Sequence, residues 1–176
     1  FVTVEGATLK NRDHGSNLPT LPSIPNPVLP TIDGSWSILV AGIGGTGVVT
    51  IGQTLAVAAH ADGLYSSNLD VTGLAQKYGA VLSHIKISNS PDQLTSTRIA
   101  NGEADTLIGA DVIVSAGDEV LATLVPGQSR GVVSTHLTPT ADFSRDPDWN
   151  IDETMLINRL DTAIENDLLK LDSILL

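Results

Sequence analysis

The 176-residue sequence contains no cysteine. That excludes disulfides, thiolate catalysis and any iron–sulfur cluster or zinc ion held by cysteine on this chain. Aromatic residues are only 3% of the total, so a core must be assembled from valine, isoleucine, leucine and alanine. Positive charge is also scarce: 9 Lys and Arg stand against 20 Asp and Glu, a net charge of −11. A field of that sign repels nucleic acid and anionic membranes, and neither is expected as a partner. No apolar run approaches the ~20 residues that span a bilayer. No basic segment precedes an apolar one in the manner of a signal peptide, so a cytoplasmic protein is expected. One stretch lacks charge of either sign, with no Asp, Glu, Lys or Arg between Gly34 and Ala61.

Hydrophobic residues make up 41% of the chain, which is enough for one globular domain with a tail. The chain opens on "FVTVEG" without an initiator methionine and closes on the apolar "LDSILL". Both ends read as cuts within a longer polypeptide. Phe1 to Val4 is β-branched and apolar, suited to joining a neighbouring sheet. Leu18 to Thr31 carries Pro19, Pro22, Pro25, Pro27 and Pro30, a composition that favours extended polyproline geometry and a spacer. Residues 1–35 are therefore an N-terminal segment and Pro-rich linker, and 36–176 an α/β domain.

Ser37 to Ala41 reads as a buried strand and the segment from about Gly45 to Ala61 as a helix, stopped by Asp62 and Gly63. A surface helix normally carries a charged face. Without one, this helix is expected to be covered on both sides, by its sheet and by another domain. Leu64 to Leu69 has weak strand character. Asp70–Ala80, "DVTGLAQKYGA", reads as a loop with a helical turn. Val81–Ser88 alternates: Val81, Ser83, Ile85 and Ile87 point one way, and Leu82, His84 and Lys86 form a partly polar face. Ala110–Ala116 reads as a buried strand, Asp118–Val125 as a short helix with acids in its first turn, and Gly131–His136 as a strand. Asn150 and Glu153 have capping-box spacing. They start a helix with an apolar stripe at Ile157, Leu160, Ile164, Leu168, Leu171 and Leu175. Strands alternating with helices predict a three-layer α/β/α fold with a mostly parallel sheet and a Rossmann-like start.

Gly42, Gly44 and Gly47 lie between a strand and a helix at dinucleotide-fingerprint spacing, where glycines permit a tight turn and free N–H groups at the helix start favour an anion. The ribose-binding acid would be Asp70. The residues before it, "YSSNL", do not resemble a buried parallel strand, which weakens a nicotinamide or flavin reading. A Walker A loop is excluded because Val48 and Val49 stand where lysine and a hydroxyl residue are required. The loop is thus either an anion cradle or a turn that packs backbone closely. His14, His60, His84 and His136 show no metal-ligand spacing, so no metal site is expected, and His84 is expected to be a satisfied or interfacial histidine. Gly127, Ser129 and Gly131 match a nucleophile-elbow pattern, but the run follows a helix and opens a strand, so it is read as a turn. No catalytic residue is assigned.

"GIGGTGVVTIGQTLAVAAHADG" with "LDVTGLAQKYGAVLSHIKIS" and "NGEADTLIGADVIVSA" closely resembles the gamma-type domain of 2-oxoacid:ferredoxin oxidoreductases, over about Ile38 to Pro139. More narrowly it is similar to the version fused into long indolepyruvate ferredoxin oxidoreductase chains, and "FVTVEGA" resembles a segment upstream of that domain. Against this family the chain stops at Leu176, before a last helical part, as though truncated. The resemblance implies part of an oxidoreductase that oxidatively decarboxylates a 2-oxoacid, such as pyruvate or indolepyruvate. Thiamine diphosphate, iron–sulfur clusters, coenzyme A and ferredoxin serve the whole enzyme, whereas this fragment holds no cofactor firmly and is inactive alone. The partners implied are the thiamine-bearing and iron–sulfur domains. Ferredoxins are typically acidic, so one would dock elsewhere than on this acidic chain.

Two stretches are the candidate sites. Gly42, Gly44, Gly45, Thr46 and Gly47 form the cofactor-binding or packing loop. Asp70, Thr72, Gly73, Gln76 and Lys77 face a partner domain or coenzyme. Lys77 is the sole Lys or Arg between Arg12 and Lys86, which makes it a natural phosphate partner. The competing functions are an independent dinucleotide-binding module and a purely structural interface domain.

Overall fold

The computed structural model describes residues 31–73, 79–137 and 152–171. The strand expected at Phe1–Val4, nearly all of the proline-rich stretch, and Asn150 lie outside them. The described residues belong to one compact unit, Thr31–Leu176. Its elements are β1 (Ser35–Ile43), α1 (Val48–Ala61), β2 (Tyr65–Thr72), β3 (Ala80–Ser88), β4 (Thr106–Gly109), α2 (Val112–Ser115), α3 (Asp118–Leu121), β5 (Arg130–Ser134), α4 (Glu153–Ile164) and β6 (Leu168–Leu171).

The six strands form one mixed sheet in the order β2-β3-β1-β4-β5-β6. The β1/β4, β4/β5 and β5/β6 pairings are parallel, and β1/β3 and β2/β3 are antiparallel. The sheet is therefore mostly parallel, with an antiparallel hairpin at one side. Both faces are covered, which explains the near-continuous apolar run of β1, where Leu39, Val40 and Ala41 are all buried. Val40 and Ile85 pack with Val48, Ile51 and Leu55 under α1. Leu39, Leu82, Leu107 and Val133 pack on the opposite face with Val112, Val120, Leu156, Leu160 and Ile164 from α2, α3 and α4. Three layers result, as the strand–helix alternation predicts.

Several elements differ from expectation. Ala110–Ala116 is not a strand. The strand is Thr106–Gly109, and Asp111 follows it as the cap of α2, its carboxylate accepting from Val114 N–H at 2.9 Å. The β-branched run Val112-Ile113-Val114 is apolar because α2 presses against the sheet, not because it pairs within it; Val112 is fully buried. The final helix stops at Ile164, where Glu165 takes a φ of +63°. Leu168 and Leu171 then belong to β6, which pairs in parallel with β5. Helical spacing from Ile164 to Leu168 is thus coincidental: Ile164 and Leu168 reach the same core from different elements. The cap of α4 is Asp152, which accepts from Met155 N–H at 3.1 Å. The "loop" at Asp70–Ala80 begins inside β2, which runs on to Thr72. The partly polar face of β3 is buried throughout: Leu82, His84 and Lys86 are all covered, and Lys86 survives burial by pairing with Glu103 at 3.3 Å.

The turn at Gly127–Gly131 is structural. Ser129 is buried, its Oγ donating to the Ala104 carbonyl at 2.7 Å and accepting from Val125 N–H at 2.8 Å. A hydroxyl held at both ends is no nucleophile.

Candidate functional site

The glycine loop leaves the C-terminal end of β1, the edge at which α/β sheets bind ligands. Its glycines do different jobs. A Cβ on Gly42 would lie 2.6 Å from Thr46 Oγ1, 2.8 Å from Val48 Cγ2 and 2.9 Å from Ala110 Cβ. Gly42 is therefore the close-packing glycine, letting β1, α1 and the end of β4 converge. Gly45 and Gly47 have φ of +105° and +85°, conformations that L side chains rarely adopt, and a Cβ on either would meet nothing. Those two shape an open rim. Thr46 closes the turn, its N–H and Oγ1 both donating to the Ile43 carbonyl at 3.0 and 2.7 Å. Gly47 caps α1 without a side-chain hydrogen bond, and no acid stands in the first turn of α1. The uncapped N–H groups and the helix dipole make this end positive.

The second candidate stretch ends at the same edge of the sheet as the glycine loop, with β3 between them. Gly44 N–H donates to the Gly79 carbonyl at 2.8 Å, tying the segment before β3 to the loop. Thr72 and Gly73 are exposed at the C-terminal end of β2, with Gly73 N–H donating to the Ala80 carbonyl at 3.4 Å. Gln76 and Lys77 lie outside the described residues. Asp70 is occupied: its Oδ1 accepts from Ser83 Oγ at 2.6 Å, and Asn68 Oδ1 lies 2.9 Å from the same hydroxyl. This polar group sits beneath Gly52 of α1, where a Cβ would run into Ser83 Oγ. β3 intervenes between β1 and β2, so Asp70 is one strand further from the glycine loop than a ribose-binding acid on the neighbouring strand would be.

Asp111, which the sequence reading did not single out, anchors the site from below. It is fully buried just after β4. Burial raises its carboxyl above the usual range, opposed by the N–H groups of Val114, Ile43 and Ile113. Of its oxygens only Oδ1 makes a hydrogen bond, to Val114; Oδ2 is buried without one among the described residues. The Asp-then-apolar sequence after a short strand was the available signal.

On the opposite face, burial lowers the His84 pKa below 6.5, with Arg98 and Lys86 adding to the effect and Glu119 opposing it. The folded ring is therefore neutral where an unfolded one takes up a proton. His84 is expected to make stability fall as pH drops through 6.5 and below, with its full contribution present above 6.5. Urea midpoints of the wild-type chain and His84→Gln at pH 7.5 and 5.5 check this. The variant should lose less stability on acidification than the wild type, and equal losses would refute it.

A glycine turn between strand and helix, set at the C-terminal edge of a mostly parallel sheet, defines a Rossmann-like α/β domain. The family is narrower than that. Residues 37–154 match the model of the pyruvate ferredoxin/flavodoxin oxidoreductase family, and the chain belongs to that family. It is 30% identical over 123 residues to the ketoisovalerate oxidoreductase subunit VorA of Methanothermobacter marburgensis, covering 70% of this chain and 24% of that protein. The chain thus spans about a quarter of the length of that curated relative. It is similar to the gamma subunit of a keto/oxoacid ferredoxin oxidoreductase from Geobacter sulfurreducens at 25% identity, covering 60% of this chain and 56% of that one, with a TM-score of 0.43. Similarity to the 2-oxoglutarate:ferredoxin oxidoreductase of Magnetococcus marinus is 17% identity over 79% of this chain and 20% of that one, with a TM-score of 0.49.

Proposed function

We propose that this chain is the gamma-type domain of a 2-oxoacid:ferredoxin oxidoreductase, supporting a thiamine-dependent oxidative decarboxylation whose chemistry resides on other domains. The family match over residues 37–154 carries this reading. Indolepyruvate is the substrate proposed, on the likeness of "GIGGTGVVTIGQTLAVAAHADG" to the fused indolepyruvate chains.

The residues test which cofactors this chain could hold. Iron–sulfur ligation does not fit, because the sequence has no cysteine. Among the described residues, no three His, Asp or Glu gather as metal ligands. A phosphate-bearing coenzyme does fit the rim of the glycine loop, where Gly45 and Gly47 leave open space at a positive helix end. Coenzyme A would supply the thiol that accepts the acyl group. Gly45 and Gly47 at that rim would meet its phosphates, while Gly44 and Thr46 hold the turn through their bonds to the Gly79 and Ile43 carbonyls. Asp70 keeps its hydrogen bond to Ser83 in this reading and acts as a positioning residue for β2. The independent dinucleotide module is disfavoured by the strand between β1 and β2.

The partner-facing surface is the outer side of α1. Its exposed positions include Thr50, Gln53, Thr54 and Val57, the last 70% exposed, and none is charged. Such a face suits burial against another domain, where an unpaired charge would be costly. A Val57→Glu substitution tests this in the parent enzyme. The domain itself should keep its stability within about 0.5 kcal/mol, as surface changes do. Indolepyruvate-dependent ferredoxin reduction should fall by about tenfold or more as assembly weakens, since burying one unpaired carboxylate exceeds the ~1.4 kcal/mol that tenfold represents. A wild-type enzyme that reduces ferredoxin with pyruvate or 2-oxoisovalerate but not indolepyruvate would overturn the substrate. One that reduces it with no 2-oxoacid would overturn the function.

A further inference from the structure

On the side of the sheet that carries α1, one half lies open. α1 lies over β1, β2 and β3, whereas α2, α3 and α4 pack on the opposite face. Among the described residues no helix lies over β5 and β6 on the α1 side. Val40, Ile108, Val132 and Leu169 form one row across β1, β4, β5 and β6, each paired with the next. Side chains paired in this way share a face. Exposure rises along the row with distance from α1: Val40 is fully buried, Ile108 and Val132 are half-buried, and Leu169 is 59% exposed. Leu171, two residues on and so on the same side, is 48% exposed. Ile51 and Leu55 of α1 pack in the same cluster as Ile108 and form the near wall. The result is a trough with an aliphatic floor and one aliphatic wall.

The width and charge of the trough define what fills it. Strands about 4.8 Å apart make the floor from β4 to β6 about 10 Å wide, the width of one helix with its side chains. An extended segment would add at the edge of the sheet rather than over its face. Of the strand residues that face this side of β4, β5 and β6, Arg130 alone is charged, and it pairs with Asp167 at 3.4 Å. Lys170 points to the opposite side, where it pairs with Asp161 of α4 at 2.7 Å. An unpaired charge brought into the trough would be costly. The floor offers Ile108, Val132, Leu169 and Leu171, far fewer than the roughly 20–30 residues a side of a free-standing interface. A second copy or a free protein would gain too little there, so the occupant must be held nearby by other contacts. The uncharged outer side of α1 is continuous with the trough and is the surface given above to a partner domain. We infer that the trough seats one α-helix of the parent enzyme, from outside these 176 residues, lying beside α1 with an uncharged aliphatic stripe against Ile108, Val132, Leu169 and Leu171. The inference rests on the proposed reading of this chain as part of a larger enzyme.

The test places single cysteines in a chain that has none of its own. Leu169→Cys and Leu171→Cys report on the trough, and Val57→Cys on the outer side of α1. Each is treated with N-ethylmaleimide in this chain and in the parent enzyme, and the modified peptide is quantified by mass spectrometry. The thiols at 169 and 171 should react about tenfold or more slowly in the parent enzyme, where reaction needs local opening. Photo-leucine, a diazirine analogue that keeps the shape of leucine, identifies the occupant when built into the parent enzyme. Crosslinks from positions 169 and 171 should lead to one segment outside these 176 residues, with aliphatic residues at helical spacing and no charge on that stripe. Protection at position 57 with full reactivity at 169 and 171 would overturn the helix and leave the enzyme reading standing. Crosslinks to a second copy of these residues, to this chain's own residues, or to a segment with a charged stripe would overturn the occupant. Protection and capture as expected, in a parent that reduces ferredoxin with no 2-oxoacid, would overturn the enzyme reading and leave the helix standing.

Discussion

A Gly42→Val chain is expected to lose at least about 1–3 kcal/mol of stability, the usual cost of adding methylenes to a packed interior, and to lose the geometry of the glycine loop with it. Even the first added carbon is obstructed from three directions, by Thr46 Oγ1 at 2.6 Å, Val48 Cγ2 at 2.8 Å and Ala110 Cβ at 2.9 Å. These neighbours belong to the turn, to the start of α1 and to the connection after β4. Relief in any one direction disturbs an element that also holds the site. Moving Thr46 breaks its two bonds to the Ile43 carbonyl, and moving Ala110 displaces Asp111 beside it. Gly45→Ala is the informative contrast. It meets no atom, so its cost is backbone strain alone, on the order of 1–2 kcal/mol. Urea denaturation of both variants, with assembly into the parent enzyme measured by size-exclusion chromatography, separates the roles. Gly42→Val should fail in both assays. Gly45→Ala should remain assembled while weakening any coenzyme at the rim. A Gly42→Val chain with wild-type stability would remove the packing role from this loop.

The glycine loop and α1 were legible because each rests on a local rule: glycines where the chain must turn, Asp62 and Gly63 where the helix must stop. β3 was legible for the same reason, through alternation, although its polar-looking face proved buried. Alternation reports which residues share a side, and it cannot report that Glu103 lies ready to pair with Lys86. Two of the misread segments failed where tertiary packing overrides local pattern. Val112–Val114 has strand composition, yet the strand ends at Gly109 because Asp111 caps a helix there. Leu168–Leu171 continues a helical stripe, yet the open edge of β5 recruits it as a strand. The candidate site was half legible. Its two stretches could be named, whereas their separation by β3, which lies between β1 and β2, is a topological fact with no local signature. Asp111 and the buried Nε2 of His84, without a partner among the described residues, were invisible for a related reason, since satisfaction of a buried polar atom is set by distant neighbours.

The largest single loss of stability should come from Leu107→Ala, at about 2–5 kcal/mol. Leu107 is fully buried in the middle of β4, directly between Leu39 of β1 and Gly131 of β5. The cost depends on whether the surroundings can collapse into the space, and here they are braced. A Cβ on Gly131 would lie 2.5 Å from Ile164 Cδ1 and 3.0 Å from Leu168 Cδ1, so α4 and β6 already press against the glycine beside Leu107. Leu39 is fixed by β-sheet pairing on both sides and cannot swing across. The vacated volume should therefore persist as a cavity. A domain of ordinary stability, about 5–15 kcal/mol, would lose between roughly an eighth and all of it. Leu169→Ala is the matched control, because Leu169 is 59% exposed and its truncation should stay within about 0.5 kcal/mol. Unfolding followed by far-ultraviolet circular dichroism in urea measures both. A Leu107→Ala loss below about 1 kcal/mol would mean that α4 settles inward after all, and that the third layer is less rigidly seated than the close contacts at Gly131 imply.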